Sequence, residues 1–343
     1  MNKNLRNRML AIASVAVSSV MLLSGFDSAL TAGDIIDKSV EASKSLEQFS
    51  ASMRGIVDME VSYAAGEQTQ SIPINANVDV DLQYILNPFT CGLTGSVSGD
   101  ASAVGVAGSA GMDTYIVPND AGELITYARV TGLGDDAWQA VKLSEEQTTL
   151  IKDAIEKSLS GDLASLSGEV GMDLEALQNE FKESAVLSPE AVNVAGKDCY
   201  ELTIPVTGDK IYELLTQLAS SNPELGLDES VLSMMSMVVG ALRLDIIEDI
   251  DVETFRPVCV VYDLSGSDFS LLAQLAAAMT AMSGDESQET PSFELTTNNL
   301  NLTITYDYDS TVSIEVPEDA LSAPVQDAAA AEEAVGGMLD EVA

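Results

Sequence analysis

The feature that most limits the fold is an alternation of apolar and polar residues that runs, with one interruption, from Met53 to Gln83. Met53, Val57, Met59, Val61 and Tyr63 fall on one side, and Arg54, Asp58, Glu60 and Ser62 on the other. After "AAGEQTQ" the pattern resumes. Ile72, Ile74, Ala76, Val78, Val80 and Leu82 face one way, and Pro73, Asn75, Asn77, Asp79, Asp81 and Gln83 the other. A period of two belongs to an extended strand, whose successive side chains point to opposite faces. The Gly66 turn between the two runs makes them a long antiparallel hairpin with one dry face and one wet face. A dry face of that length needs a cover.

Shorter alternations follow in "FTCGLTGSVSG", "GMDTYIVP", "LITYARV" and "AWQAVKL", separated by Asn87-Pro88, Pro118-Asn119 and residues 132–136. Helical spacing appears before the hairpin, in "GDIIDKSVEASKSLEQF", where Asp34 stands as the expected cap. It returns in "EEQTTLIKDAIEKSLSG", behind a capping-box start at Ser144 with Gln147, and in "MDLEALQNEFKES". A hairpin around Gly196 then precedes the helix "DKIYELLTQLASS", the Met-rich helix "VLSMMSMVVG", two strands in "ALRLDIIEDIDVETFRPVCVVYDLSG", the helix "SLLAQLAAAM" and a closing strand region from Ser292. The order is α+β. A strongly curved antiparallel sheet, a half-barrel with helices packed on its concave face, fits both the one-sided strands and the apolar helices. The cover would come from Leu214, Leu215, Leu218, Met234, Met235, Met237, Val238, Leu271, Leu272, Leu275 and Met279. The Ala- and acid-rich C-terminal end reads as a frayed helix or tail.

Composition removes several function classes. The formal net charge is −40, which repels nucleic-acid backbones and anionic membrane surfaces. There is no histidine. The commonest general base, the usual nucleophile activation and most zinc chemistry go with it. Cys91, Cys199 and Cys259 have no CxxC spacing and lie in strand-like stretches. They read as buried thiols, with one disulfide pairing left open. The acids of "DIIEDIDVE" and "TYDYDS" alternate along strands and read as solvated faces, without the glycine and closing glutamate of a calcium loop. Neither the serines of "GSVSG" nor the sequon at Asn301 has a context that supports chemistry or glycosylation. No cofactor, metal or enzymatic activity is expected.

The N-terminus points out of the cytoplasm. Lys3, Arg6 and Arg8 precede an uncharged run from Met9 to Phe26, the plan of an export signal. Leu23-Ser24-Gly25 would suit the approach to a lipidated cysteine, but Phe26 follows and carries no thiol. Residues 1–32 are therefore read as an export signal, 33–320 as one domain and 321–343 as the tail.

The leader, the strand pair "SMRGIVDMEVSY" and "NVDVDLQ", "MDTYIVPNDAGELITYARV" with Trp138 after it, "AGKDCYELTIPVTGD", "IDVETFRPVCVVYDLS" and a closing strand "STVSIEVPEDA" occur in that order. In this order the chain resembles the LolA-like half-barrel extracytoplasmic proteins, near the uncharacterised lipoproteins of this fold from Gram-positive bacteria. The resemblance implies a half-barrel plugged by helices, with a lipid or lipid-linked group in an apolar cavity. Phe26 departs from the lipoprotein pattern.

The reading that follows is an exported, non-enzymatic binding protein, secreted or associated with the cell envelope. It holds a lipid or other amphiphile between sheet and helices. The candidate lining is Met59, Val61, Ile74, Val78, Val80, Leu215, Met234, Met235, Val238, Leu271, Leu275 and Met279. The alternative is an envelope interaction module with a filled core and a protein partner. Neither reading involves nucleic acid, and membrane contact comes only through an uncleaved leader. N-terminal sequencing of protein from the native host checks the leader. A start near Gly33 is expected, and an intact Met1 in the membrane fraction would mean that the leader is kept as an anchor.

Overall fold

The computed structural model describes residues 30–65, 68–101, 106–132, 136–160, 167, 172–221, 232–233, 236, 238–271, 274 and 292–327. Residues 1–29 of the expected leader, 1–32, lie outside them.

The long hairpin forms as its alternation requires. β1 (Gln48–Ala65) and β2 (Gln68–Ile85) pair in antiparallel register throughout, with Met53 opposite Val80, Met59 opposite Ile74 and Val61 opposite Ile72. β3 (Thr90–Ala101), β4 (Val106–Pro118), β5 (Leu124–Thr131) and β6 (Gln139–Lys142) continue the sheet beyond β2. On the other side of β1 lies β12 (Ser292–Asp307), then β11 (Pro257–Asp263), β10 (Arg243–Asp251) and β9 (Lys197–Thr207). The short strands β7 (Val186–Leu187) and β8 (Val192–Val194) both pair with β9. β13 (Val325–Asp327) lies parallel beside β6. The result is an α+β protein with one thirteen-stranded, mostly antiparallel sheet that is curved and unclosed.

The register of β1 with β12 contains one irregularity, between Asp58 and Met59. A bulge adds one residue to one strand and shifts the parity beyond it. Here Leu300, Leu302 and Ile304 on one side of the bulge, and Phe293 and Leu295 on the other, all reach the same face as the odd residues of β1. Asn298 at the bulge donates from its amide to Asp58 Oδ1 at 3.1 Å.

That face carries the core. Phe49, Ala51, Tyr84, Leu202, Ile204, Ile246, Ile250, Val260, Ile304 and Tyr306 are buried in one cluster. α1 (Ala32–Ser43) contributes Ala32, Ile35 and Ile36 to it. Complete burial of Ile35, Ile36 and Phe49 is worth roughly 1.5–3 kcal/mol each. Thr31, rather than Asp34, caps α1. The Thr31 side chain accepts from the Asp34 amide at 3.2 Å, and Asp34 Oδ2 accepts from the Thr31 amide at 2.9 Å. A chain beginning at Gly33 would lack this cap, a loss of about 1 kcal/mol, and would lack the buried Ala32.

α2 (Glu145–Ser160) starts with the expected box, in which Ser144 and Gln147 exchange amide-to-side-chain hydrogen bonds at 2.9 and 3.1 Å. α3 (Leu174–Ser184) and α4 (Gly208–Ser221) follow, with Phe181 and Ile211 packed against the core cluster. α5 (Glu318–Leu321) is a single turn. The segment "STVSIEVPEDA", expected as a closing strand, is not one. Residues 311–317 run without strand pairing, and α5 follows. The C-terminal end, expected as frayed helix or tail, begins with the strand β13, and residues 328–343 lie outside the described residues.

Ala195 and Gly196 join β8 to β9 with φ of 51° and 84°. Both angles lie in the left-handed region that a two-residue hairpin turn needs. There Ala is poorly suited and Asn is favoured. Ala195→Asn is expected to raise stability by about 0.5–1 kcal/mol, read as a higher urea midpoint at unchanged slope. A lower midpoint would contradict the turn geometry.

Candidate functional site

Cross-strand partners share a face, so the registers define a continuous row across the sheet. From one end it runs Val130 (β5), Met112 (β4), Gly95 (β3), Val80 (β2), Met53 (β1), Ile304 (β12), Val260 (β11), Glu248 (β10) and Leu202 (β9). Every residue of the row except Glu248 is apolar. The burial is graded. Leu202 and Glu248 are 0% exposed and Val260 1%, whereas Met112 is 45% and Val130 44% exposed. The same face is therefore closed at its β9–β11 end and open at its β4–β5 end.

Two glycines lower the floor between these points. A Cβ on Gly55 would lie 3.3 Å from Val78 Cβ and 3.4 Å from Leu302 Cδ1, and one on Gly95 would lie 3.1 Å from Val80 Cγ2. Side chains there would crowd the neighbouring valines, so the glycines let Val78, Val80 and Leu302 lie close over the backbone along the row.

The predicted strand residues fall where the alternation put them. Met59, Val61, Ile74, Val78 and Val80 all lie on the core face of β1 and β2, and all are half-buried. Leu215 in α4 and Val238 are half-buried, and Leu271 is exposed at 39%. Met234, Met235, Leu275 and Met279 lie outside the described residues, as do Met237 and Leu272. The structure thus brings the five strand residues onto one face.

The sequence pattern missed the most unusual group. The acids of "DIIEDIDVE" were expected on solvated faces, but Glu248 is wholly buried and Asp249 is only 8% exposed. Consecutive residues 248–251 of β10 are all buried, and since neighbouring side chains point to opposite faces, both faces of the strand are covered there. Neither carboxyl oxygen of Glu248 has a hydrogen-bond partner. Burial, with a smaller contribution from Asp249, drives its pKa well above the usual carboxylate range and favours the protonated form. Around it stand Tyr262, Tyr306 and Tyr308. Burial is the largest cause of the raised pKa of each hydroxyl, and the nearby Glu248 adds to each. The Tyr306 and Tyr308 rings stack at 5.9 Å with 7° between their planes. The Tyr308 hydroxyl, like the Glu248 oxygens, is buried without a partner.

The opposite face is held by a different kind of contact. Ile125, Tyr127, Ala140 and Ala320 form a second buried cluster, with Trp138, Val316 and Ala323 packed on it. Arg129 pairs with Asp113 at 2.6 Å and lies 4.5 Å over the Trp138 ring, while Trp138 Nε1 donates to Asp319 at 2.9 Å. These contacts fasten residues 311–327 across the sheet and carry no reactive group.

All three cysteines are free. Cys199 on β9 and Cys259 on β11 are separated by β10 and lie opposite different residues of it, Asp251 and Asp249, so their backbones are more than two strand spacings, about 9.6 Å, apart, beyond the reach of ~7 Å for a disulfide. Burial pushes the Cys91 and Cys199 thiols up to about 11 and raises that of Cys259, the reverse of nucleophile activation. Among the described residues no group of His, Cys, Asp or Glu is arranged to hold a metal. No described helix is long and apolar enough to cross a membrane.

No family model matches the chain, and no curated protein matches it in sequence. Among solved structures it is similar to LprF from Mycobacterium bovis, at 12% identity and a TM-score of 0.33, covering 82% of this chain and 94% of that one. It is also similar to a DUF1329 family protein from Desulfovibrio piger, at 10% identity and a TM-score of 0.18, covering 91% and 96%. A likeness this distant carries no argument about function, which leaves the chemistry of the site itself.

Burial, reinforced by Glu201, raises the Asp249 pKa from 3.8 to about 6. The folded state thus holds this proton more tightly than the unfolded chain does. The resulting stabilisation is complete below pH ~4 and is lost as pH rises toward 6. Relative to Asp249→Asn, wild-type stability should fall across that window by at most about 1.4 kcal/mol per pH unit. Urea unfolding of both proteins from pH 4 to pH 7 measures the difference, and parallel curves would contradict the assignment.

Proposed function

We propose that this is an extracytoplasmic, non-enzymatic binding protein that holds the apolar part of a lipid or other amphiphile against the core face of its sheet. The observation that carries this reading is the graded row from exposed Val130 and Met112 to buried Val260 and Leu202. A face that serves only as core has no reason to stay apolar where it meets water, whereas a face that admits a chain from solvent does. Each buried CH₂ of such a chain contributes about 0.8 kcal/mol, so an acyl tail binds without a polar anchor. In this reading the sheet is a half-barrel. The helices bearing Leu215, Met234, Met235, Val238, Leu271, Leu275 and Met279 close over Met59, Val61, Ile74, Val78 and Val80. Residues 33–320 act as one unit, delivered by the leader.

A second reading draws on the exposure of Val97 at 49% beside Met112 and Val130. The open end would then dock an envelope protein, and the core would hold no ligand.

Native mass spectrometry of protein from its own host, with displacement of a fluorescent fatty acid, distinguishes the two. Co-purified amphiphile and saturable displacement are expected. Val78→Asp and Leu302→Asp should each weaken the probe by about tenfold or more, since each places a carboxylate on the apolar floor. A mass free of adducts and no saturable probe binding would remove the ligand-holding reading.

A further inference from the structure

The buried end of the row has a polarity that an acyl chain alone does not use. We propose that Glu248, with Tyr262, Tyr306 and Tyr308, recognises the primary ammonium head of a single-chain amphiphile whose tail lies along the apolar row. This inference rests on the ligand-holding reading above.

Three observations converge on an ammonium. The first is the count of free acceptors. Both Glu248 oxygens and the Tyr308 hydroxyl are buried and unpartnered. The neighbours of Glu248 in the row, Val260 and Leu202, offer it nothing polar. A native interior satisfies its polar atoms with protein, water or a bound group, and a bound donor can take that place here. A primary ammonium has three donors and no acceptor, the complement of these three atoms. The second is the aromatic surround. Tyr262 lies on β11 and Tyr306 at the end of β12, with Tyr308 stacked on Tyr306. Aromatic faces around a carboxyl suit a cation. Tyr308 already takes the Arg256 guanidinium 5.5 Å over its ring. The third is charge. A net charge of −40 favours the approach of a cationic head and disfavours carboxylate or phosphate heads.

Binding carries a proton balance. The groups that bear on Glu248 are the three tyrosines on its own face, Arg256 beyond Tyr308, and Asp249 beside it on the opposite face, where Glu201 is its cross-strand partner. In the free protein burial favours the protonated acid. When an ammonium arrives, the Glu248 carboxyl gives that proton to solvent, and the carboxylate pairs with the ammonium. The interior ends with no net charge, the condition under which a buried ion pair is tolerated.

The test is calorimetric titration of wild type, Glu248→Gln and Tyr308→Phe at pH 7. The titrants are dodecylammonium, dodecanol and dodecanoate below their micelle concentrations, in two buffers of different ionisation enthalpy. Circular dichroism confirms that both variants fold. Wild type should bind dodecylammonium about tenfold or more tighter than dodecanoate, with release of about one proton. Dodecanol should bind without proton release. Glu248→Gln should abolish the release and reduce the preference to within about threefold, while Tyr308→Phe should weaken dodecylammonium and leave dodecanol unchanged. Equal affinity for both charged heads, or a Glu248→Gln profile like wild type, overturns the proposal and leaves the apolar-ligand reading standing. No binding of any titrant overturns both.

Discussion

The pairing of β1 with β2 on one side and β12 on the other is the constraint on which the rest of this structure depends. Among the described residues these are the longest strands, at 18, 18 and 16 residues, and they sit in the middle of the sheet order. Because side chains alternate, a slip of one residue in either pairing would turn Met53, Val57, Met59 and Val61 to the wet face and bring Arg54, Asp58 and Glu60 inward. The dry face of this trio gives α1 its partner, sets the row that reaches Glu248, and decides which end of the sheet stays open. The bulge at Asp58 and Met59 belongs to the same constraint, since it returns Leu295 and Phe293 to the correct face after the parity of β12 changes.

Against that frame of apolar contacts, the interior carboxyl of Glu248 works the other way. A buried acid without partners is a net cost to folding, of the order of 1–3 kcal/mol for an unsatisfied polar group and more for a charged one. Protonation lowers the cost but does not remove it. Leu or Met at this position would pack against Val260 and Leu202 with no such penalty. The polar cluster is therefore hard to explain as a stabilising feature. Recognition of an ammonium head would give it a role. The contacts of Arg129, Asp113, Trp138 and Asp319 on the far face are the opposite case, partly exposed, fully partnered and concerned only with fastening the C-terminal segment.

What the amino-acid sequence discloses follows the range of the physics involved. The hairpin was legible because burial on one face imprints a period of two over many residues, and Met59, Val61, Ile74, Val78 and Val80 inherit their common face from it. The box at Ser144 was legible because capping is local. The cap of α1 was misassigned by three residues, since Asp34 serves in the same local motif as the partner of Thr31 rather than as the cap. Glu248 was not legible. Its strand is covered on both faces, so "DIIEDID" carries no clean alternation, and burial there is decided by β9, β11 and β12, distant in sequence. The strand expected in residues 311–317 failed for a related reason. Ile314 and Val316 do alternate, but they lie across the far face of the sheet, where Gly92 leaves Ile314 room, rather than pairing at an edge.

The central claim is that an amphiphile's tail occupies the core face between the open and buried ends of the row. The most direct measurement is methyl NMR of ¹³C-methionine-labelled protein with a spin-labelled fatty amine. The account predicts selective, saturable broadening of the Met53, Met59 and Met112 methyls, reversed by an unlabelled competitor. Broadening that spares these three, or that does not saturate, would contradict it.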